Sequence, residues 1–369
     1  MLIALRPFLA SLAFGFLDFI YSYAFILLTA IFLLRKKGVL LPDKAISACL
    51  FLFIASLLAS CFWGLNSARS LNEAYKFIFL FFVYLFAANL NSAQKTTALR
   101  VLIISSFMVS LYSLYYFFFG TKHIVDSLKL SQIQYPFALE YINRQRAFAP
   151  FILPSLLGCY LAVGLTVTTG YILSLKKPIK ETALLLSAFS LPIFISLSLT
   201  RSISAFASII IALIILQIIY PSKKITIITL FSLMAIFFIY LWRNTGSSSF
   251  TNVDFSFGKR IFYWKEGFAY ILAHPFKGTG LRNYWGHFSQ FTHNSYLQIW
   301  IETGLAGFIS LAAVFYFALN KLLKSNSALS KTLFLAFLIF AIDNLFDFSF
   351  FMPETAYLWW LIIGLADQS

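Results

Sequence analysis

The sequence predicts an all-α, polytopic membrane protein with about twelve transmembrane helices. Three observations carry this prediction. Of the 369 residues, 60% are hydrophobic and only 11% are charged, which leaves too little polar surface for a soluble domain of this length. Apolar runs of about 17 to 25 residues recur along the chain, and a helix needs this length to cross a bilayer. The runs are continuous, whereas a β-barrel would need short alternating segments.

The apolar runs locate the predicted membrane segments. In chain order they lie at 2–17, 19–34, 45–63, 74–90, 99–119, 148–174, 183–199, 203–220, 225–242, 294–320, 332–350 and 355–366. We therefore expect residues 1–369 to form a single transmembrane domain with one large loop at 243–293. Arg6 and Pro7 precede a long apolar region that has no signal-peptide cleavage site, so no cleavable leader is expected.

The distribution of charge orients the chain. The loops after predicted segments 2, 4, 6, 8 and 10 contain only two acidic residues, Asp43 and Glu181. Their basic residues are Arg35, Lys36, Lys37, Lys44, Lys95, Arg100, Lys176, Lys177, Lys180, Lys223, Lys224, Lys321, Lys324 and Lys331. The positive-inside rule places these loops and both termini in the cytoplasm. This topology also accounts for the net charge of +15, so no nucleic-acid partner is expected.

The opposite face has two long loops, at 120–147 and 243–293. Long loops on a compact protein are usually functional. The second loop contains an apolar stripe at helical spacing, which predicts a helix lying in the membrane interface from Lys259 to Ala273. The His274-Pro275 pair is expected to end this helix, because proline restricts the residue before it.

Several arginines fall on this same face: Arg144, Arg146, Arg201, Arg260 and Arg282. Arg201 is the most informative, because it occupies a turn of two or three residues between two apolar runs. A single arginine at such a turn is equally well explained as an anchor at the membrane surface. Several arginines beside a histidine indicate phosphate binding, because guanidinium groups pair with phosphate oxygens through two hydrogen bonds. A diphosphate leaving group needs such charge neutralisation.

His293 is the only one of the four histidines that immediately precedes a membrane segment. Taken alone, it is explained as a hydrogen-bonding residue at a helix start. Together with the arginines it is predicted to be a general base. Asp343 and Asp347 are four residues apart in the eleventh predicted segment, so we expect them on one helix face, pairing with the arginines. A proton or cation path is the alternative role for these two carboxylates.

The sequence predicts neither a metal site nor a cofactor. No set of histidine, cysteine and carboxylate residues has ligand spacing, and no D-x-D pattern is present. The three cysteines lie in apolar runs and are expected to be core residues. A glycine-rich phosphate loop is also missing. A donor on the outer face would therefore be linked to a lipid and would not be a nucleotide sugar.

The chain resembles the O-antigen ligase and polymerase family of bacterial envelope enzymes over about residues 60–350. Residues 293–297 (H-N-S-Y-L) and 302–307 (E-T-G-L-A-G) are similar to the family pattern H-N-x-Y-L…E-x-G-L-x-G. The stretch from Arg260 through Trp264 to G-T-G at 278–280 resembles the pattern R…W…P…G-x-G of the family's large loop. T-R-S at 200–202 resembles a third motif of the family, the S-R-(G/S) turn.

A fourth motif of the family, R-x-F-G, resembles R-A-F-A at residues 146–149. The chain departs from the family here. Ala149 stands where glycine is usual, and L-P-S at 153–155 replaces N-P-N. These departures leave Arg144 as an alternative to Arg146 in the role that the motif implies.

The resemblance implies an inverting, metal-independent glycosyltransferase at the periplasmic face of the bacterial inner membrane. Its donor would be a glycan on undecaprenyl diphosphate, and its acceptor a sugar hydroxyl of lipid A-core or of another glycan. His293 would be the general base, and Arg146, Arg201 and Arg260 would hold the diphosphate. Supporting positions are expected at Arg282, Trp264, Asn294, Tyr296 and Glu302.

Other functions stay open from the sequence. Polymerases and protein O-oligosaccharyltransferases of the same family have nearly the same motifs, so the motifs leave the acceptor undecided. A polysaccharide transporter or flippase is the alternative from another class. It predicts interrupted helices and repeat symmetry around a site in the middle of the membrane. The charged residues instead collect at one interface, which favours the enzyme.

Overall fold

A computed structural model describes residues 2–36, 43–130, 136–244, 252–325 and 327–366. The regular structure in these ranges is helical. In chain order the α-helices are α1 (Leu2–Leu5), α2 (Gly15–Arg35), α3 (Lys44–Trp63), α4 (Ser67–Ala88), α5 (Ser92–Tyr115), α6 (Thr121–Leu130), α7 (Pro136–Asn143), α8 (Pro154–Ser174), α9 (Ile179–Leu185), α10 (Leu191–Thr200), α11 (Ile203–Ile219), α12 (Lys223–Asn244), α13 (Val253–Ala273), α14 (Ser295–Lys324), α15 (Ala328–Asp343) and α16 (Pro353–Leu365).

Eight helical segments in the described ranges are long and apolar enough to cross a membrane. They are α2, α3, α4, α5 with its continuation to His123, α8, the α9–α10 run from Ile179 to Thr200, α12 and α14. A π-helical turn joins α5 to α6, and another joins α9 to α10. Helix α11 is apolar but has only 17 residues. The all-α, polytopic class is confirmed, with eight segments of full spanning length where the sequence predicted about twelve.

The first predicted segment, 2–17, is not a membrane helix. Helix α1 has four residues and is followed by a 3₁₀ turn at Arg6–Phe8, and the long helix α2 begins only at Gly15. Arg6 is fully buried, and its guanidinium forms ion pairs with Asp18 and, at 3.7 Å, with Glu354. A buried charge must be paired, and these pairings fold the N-terminal residues back onto α2 and α16.

Helices α12 and α16 show how the bundle is layered. Every residue of α16 is buried, and it packs against α4, α8 and α15. A side chain at Gly364 would place its Cβ 2.5 Å from the Cβ of Ala87, so glycine permits the close approach of α16 to α4. Helix α12 packs on α11 at the periphery, and Ile239 and Arg243 are its buried residues. Ile225, Ala235 and Ile236 are partly buried against the core, and most of the remaining side chains of α12 are exposed, as expected for a helix in contact with lipid.

Helix α14 is broken at Gly304, where φ is 73°. The loop after α13 packs into this break. The amide of Thr279 donates to the carbonyl of Ile301 at 2.9 Å, and that of Gly280 donates to Glu302 at 3.0 Å. A Cβ at Gly304 would lie 2.3 Å from the carbonyl oxygen of Phe276. Glycine is therefore required both for the left-handed backbone and for the close approach of the loop.

The ends of α3, α10, α12 and α15 meet the starts of α4, α8, α11 and α14 at one end of the bundle, which we call the site end. The described parts of both long predicted loops lie there. The second loop contains α13, which starts at Val253, six residues before the predicted start, and ends at Ala273 as predicted. It is not among the helices of spanning length and composition. From residue 252 onwards, the loop is thus a folded part of the site end.

Candidate active site

His293 lies one residue before the cap of α14. The side chain of Asn294 accepts hydrogen bonds from the amides of Tyr296 (3.0 Å) and Leu297 (3.1 Å), which starts the helix. His293 itself has φ of 51°, a left-handed conformation that non-glycine residues seldom adopt and that is often found at functional sites. The indole of Trp264 donates to its carbonyl at 3.3 Å. Helix capping and α13 together hold the backbone of His293 in this conformation.

The imidazole of His293 is oriented on three sides. Its ring stacks on Tyr263, with centroids 5.4 Å apart, and meets the edge of Phe348 at 4.9 Å. Nδ1 lies 3.8 Å from Oδ1 of the buried Asp347, an ion-pair distance longer than a hydrogen bond. Burial raises the pKa of Asp347. The opposing effects of His293 and Arg260 together are larger, so the pKa lies below its ordinary value. Asp347 is therefore ionised at neutral pH.

Glu302 supports the His293 loop through Gln298. Gln298 Nε2 donates to Glu302 at 2.6 Å and to the carbonyl of Gln290 at 3.2 Å. Its Oε1 accepts the amide hydrogen of Thr292 at 2.9 Å. Gln298 thus gives the buried carboxylate of Glu302 the partner that its burial requires.

A cavity of about 350 Å³ opens beside His293 at the site end. Three arginines line it with the histidine: Arg146, Arg243 and Arg260. Five serines supply hydroxyl groups: Ser155, Ser202, Ser204, Ser256 and Ser289. We call this space the arginine cavity. A concave site with converging cations and hydroxyl groups has the chemistry of an anion site.

Arg146 and Arg260 approach the arginine cavity from different elements. The Nε of Arg146 donates to the carbonyl of Thr200 at 2.9 Å, and burial lowers its pKa to about 10. Arg260, on α13, lies 3.9 Å from Asp347 Oδ2 and also lines an adjoining cavity of about 310 Å³ that contains His293. Arg144 is not among the residues that line the arginine cavity.

Arg201 and Arg243 lie next to each other. Arg201 ends α10 with φ of 49°, and its guanidinium lies 3.6 Å from the ring centroid of Trp242. Burial lowers its pKa to about 10, and the charge of Arg144 acts in the same direction. Arg243 is buried, and its Nη1 donates to the carbonyl of Arg201 at 3.4 Å. Arg201 thus borders the arginine cavity, whereas Arg243 lines it.

Residues 185–312 match the family model of the O-antigen ligases. These residues belong to the O-antigen ligase family. The match contains Arg201, Arg243, Arg260 and His293, and it confirms the resemblance seen in the sequence motifs. No curated protein matches the chain.

Family membership indicates an enzyme of the ligase or glycosyltransferase type at a membrane. Its substrates are a lipid-linked glycan and a glycan acceptor. Within this O-antigen ligase domain, sequence analysis missed Arg243. Arg243 directly follows the predicted segment 225–242 and lies at the same end as Arg201. That position could have indicated a role for Arg243 in the site, although a single arginine at the end of an apolar helix is ordinarily explained as a membrane anchor.

Two predicted positions lie elsewhere than expected. Arg282 pairs with Glu73 at 2.6 Å and lines a different cavity. Helix α15 ends at Asp343, so Asp347 lies in the following loop and does not share a helix face with Asp343. Asp343 accepts a hydrogen bond from Ser349 at 3.2 Å. The chain leaves the helix before Asp347, and this turn brings its carboxylate to His293 and Arg260.

Proposed function

We propose that this protein is an O-antigen ligase. It would transfer a glycan from undecaprenyl diphosphate to a sugar hydroxyl of lipid A-core at the periplasmic face of the bacterial inner membrane. The observation that carries the proposal is that His293 lines one cavity with Arg146, Arg243 and Arg260. A base beside a cationic pocket is what glycosyl transfer from a diphosphate requires.

The proposed reaction begins with Nε2 of His293, since Nδ1 faces Asp347. The acceptor hydroxyl loses its proton to Nε2 as its oxygen attacks the anomeric carbon of the donor. The bond from that carbon to the diphosphate oxygen breaks on the opposite side, so the configuration inverts. The lipid diphosphate leaves with its electron pair. This scheme needs neither a metal ion nor a cofactor.

Asp347 is proposed to orient His293. An ionised carboxylate near Nδ1 favours the tautomer with a proton on Nδ1, which leaves Nε2 able to accept one. The same charge stabilises the imidazolium that forms during transfer, as the aspartate of a Ser-His-Asp triad does. The low pKa of Asp347 supports this role, because the carboxylate stays charged at neutral pH.

The arginines are proposed to hold the leaving diphosphate. Arg146 and Arg243 are buried close to other cations, and the charges of Arg201 and Arg260 lower the pKa of Arg146 in addition to burial. A bound dianion would offset this repulsion with several charge-assisted hydrogen bonds. Arg201 would act from the cavity's border, where it also holds Trp242.

A transporter would use interrupted helices to build a site in the middle of the membrane. Helix α14 is interrupted, but the backbone around Gly304 is paired with the loop at Thr279 and Gly280. The break is therefore filled by the protein's own loop. The cationic residues lie at the site end of the bundle, which supports the enzyme.

The periplasmic assignment of the site end can be tested by topology. A reporter active only in the periplasm should be silent when fused after Lys224 and active when fused near Ser248, a position outside the described residues. Lys224 is at the opposite end of α12 from the site. The reverse pattern of activity would place the site in the cytoplasm and overturn the reaction proposed here.

The diphosphate role can be tested with Arg260. Arg260→Lys should lose nearly as much transfer as Arg260→Ala, because lysine keeps the charge but loses the planar fork of donors. The matched control is Arg100→Lys, since Arg100 is exposed and its Nε donates to Tyr171 at the opposite end of the bundle. Near-normal transfer by Arg260→Lys would remove the bidentate clamp from the mechanism.

Gel analysis of envelope glycans separates a ligase from a polymerase. Deleting the gene should abolish all long-chain glycan on the lipid A-core and should cause lipid-linked polymer to accumulate. If single repeat units remain on the core instead, then the protein is a polymerase. Transfer to a protein acceptor would identify an O-oligosaccharyltransferase.

A further inference from the structure

A second polar cavity lies at the site end, between α4 and the loop that connects α13 to α14. Its volume is about 360 Å³, and six residues line it: Arg69, Asn72, Glu73, Arg282, Trp285 and Gln290. We call it the tryptophan cavity. None of the roles proposed above for the diphosphate or for the general base uses it.

The charged groups of the tryptophan cavity form a network. Glu73 lies 2.6 Å from both Lys76 and Arg282, and its side chain is 16% exposed. Arg282 has φ of 55°, a strained conformation for a residue other than glycine. The loop does not need this strain to dock on α4, because Asn283 already bonds the Ser70 hydroxyl at 2.9 Å and the Asn66 carbonyl at 3.2 Å. The network thus presents charged donors and acceptors to the cavity.

Trp285 adds an aromatic surface beside these polar groups. It is 60% exposed, and the guanidinium of Arg69 lies 5.7 Å from its ring centroid. An indole face next to a carboxylate, amides and guanidinium groups suits a sugar. The polarised C–H groups of a pyranose pack on the negative face of the ring. Its hydroxyl groups can both donate to the carboxylate and accept from arginine.

The tryptophan cavity adjoins the arginine cavity. Glu73 and Arg282 also line a small space whose wall includes Leu12 and Phe291, and both of these residues line the arginine cavity. Phe291 stacks on Phe348 at 4.3 Å, and Phe348 in turn contacts the ring of His293. The linking space is too small for a sugar, but Gln290 lines the tryptophan cavity and its neighbour Phe291 lines the arginine cavity. An oligosaccharide that fills the tryptophan cavity would therefore extend across this loop towards His293.

We propose that the tryptophan cavity binds the oligosaccharide of the acceptor, with Trp285 as its stacking platform. This inference rests on the proposed transfer reaction, in which two substrates must meet at His293. With the donor diphosphate in the arginine cavity, the acceptor has to reach the histidine from another direction. The tryptophan cavity lies at the same end of the bundle and offers such a direction.

The test measures binding separately from transfer. The probe is the free core oligosaccharide released from lipid A, titrated into the purified full-length protein. Trp285→Ala should raise its dissociation constant about tenfold or more, as removal of a buried aromatic anchor typically does. Trp285→Phe should retain most of the affinity. The matched control is Trp63→Ala, an exposed tryptophan at the site end that should leave binding unchanged.

The outcomes distinguish this inference from the proposed reaction. His293→Ala should abolish transfer and keep oligosaccharide binding. If the wild-type protein binds the oligosaccharide through Trp285 but transfers no glycan to it, the acceptor site stands and the ligase reaction fails. An unchanged dissociation constant in Trp285→Ala would overturn the acceptor site. So would a variant that keeps its affinity but loses retention in lipid nanodiscs, because Trp285 would then be a membrane anchor.

Discussion

The protein buries arginine in two regions, and it compensates the charge differently in each. Near the N-terminus, Arg6 pairs with Asp18 and Glu354. The hydroxyl of Tyr75 donates to the other oxygen of Asp18 at 2.6 Å. The ring of Tyr21 lies 5.3 Å from the guanidinium carbon of Arg6. In this N-terminal ion cluster, the protein itself supplies the anions that the buried cation requires.

The arginine cavity has the opposite balance. Arg146, Arg243 and Arg260 share it, and Asp347 lies beside Arg260 at 3.9 Å. Arg146 donates to the backbone carbonyl of Thr200, which carries no net charge. The N-terminal ion cluster is thus balanced by its own carboxylates, whereas the arginine cavity has the cationic lining that the proposed diphosphate site requires.

The largest effect expected from this contrast is the loss of catalysis without loss of the fold. His293→Ala and His293→Gln should each lower the rate of transfer by about 10²- to 10⁴-fold, as for removal of a general base. Membrane level and donor binding should be retained, because the arginines hold the diphosphate. Transfer by the purified variant is the measurement. His287→Ala is the control, since His287 is 80% exposed and pairs with Glu266. Failed insertion would show that His293 is structural.

Arg6 should show the reverse behaviour. Arg6→Met leaves Asp18 and Glu354 buried without their cation, so the free energy of unfolding should fall by about 3–5 kcal/mol. Thermal unfolding in detergent, monitored beside membrane level, checks this. The matched substitution Arg146→Met should leave stability nearly unchanged, because it removes one of several cations that repel one another. Equal losses of stability in the two variants would contradict the distinction between the clusters.

Asp347 is a buried anion, like the carboxylates that pair with Arg6, but it lies inside the cationic site. Asp347→Asn should lower the rate of transfer by about 10- to 100-fold, a smaller loss than in a hydrogen-bonded triad because Nδ1 lies 3.8 Å away. Its lowered pKa keeps the wild-type carboxylate charged throughout the neutral range, and this contribution is lost only as pH falls through that lowered pKa. The loss should therefore be present throughout the neutral range, and rates of transfer by the wild-type protein and the variant, measured across that range, check it.

The smallest expected effect is that of metal removal. If the arginines neutralise the diphosphate, no negative charge on it is left for a divalent ion to offset. A chelator such as EDTA should then change the rate of transfer by less than about twofold. The assay uses purified protein dialysed against the chelator. Strict dependence on a divalent ion would mean that the cationic excess is insufficient and that the metal-independent mechanism is wrong.

The sequence alone determined the fold class, most of helix α13 and the family. Continuous apolar runs specify membrane helices because a bilayer leaves backbone groups no partners outside a helix. The end of α13 at Ala273 followed from a local rule for proline. The motif at 293–307 identified the family because it is contiguous. Each of these features depends on residues close together in the chain.

Tertiary structure alone decided which charges meet. The ion pair from Arg6 to Glu354 joins residues 348 positions apart and turns a predicted membrane segment into a short folded stretch. Arg243 enters the arginine cavity, and Arg282 lies in the tryptophan cavity. Asp347 reaches His293 because α15 ends four residues earlier. Ion pairs and cavities depend on distances in space. Hydropathy and helical spacing record only neighbours along the chain, so they specify each helix without specifying which helix ends come together.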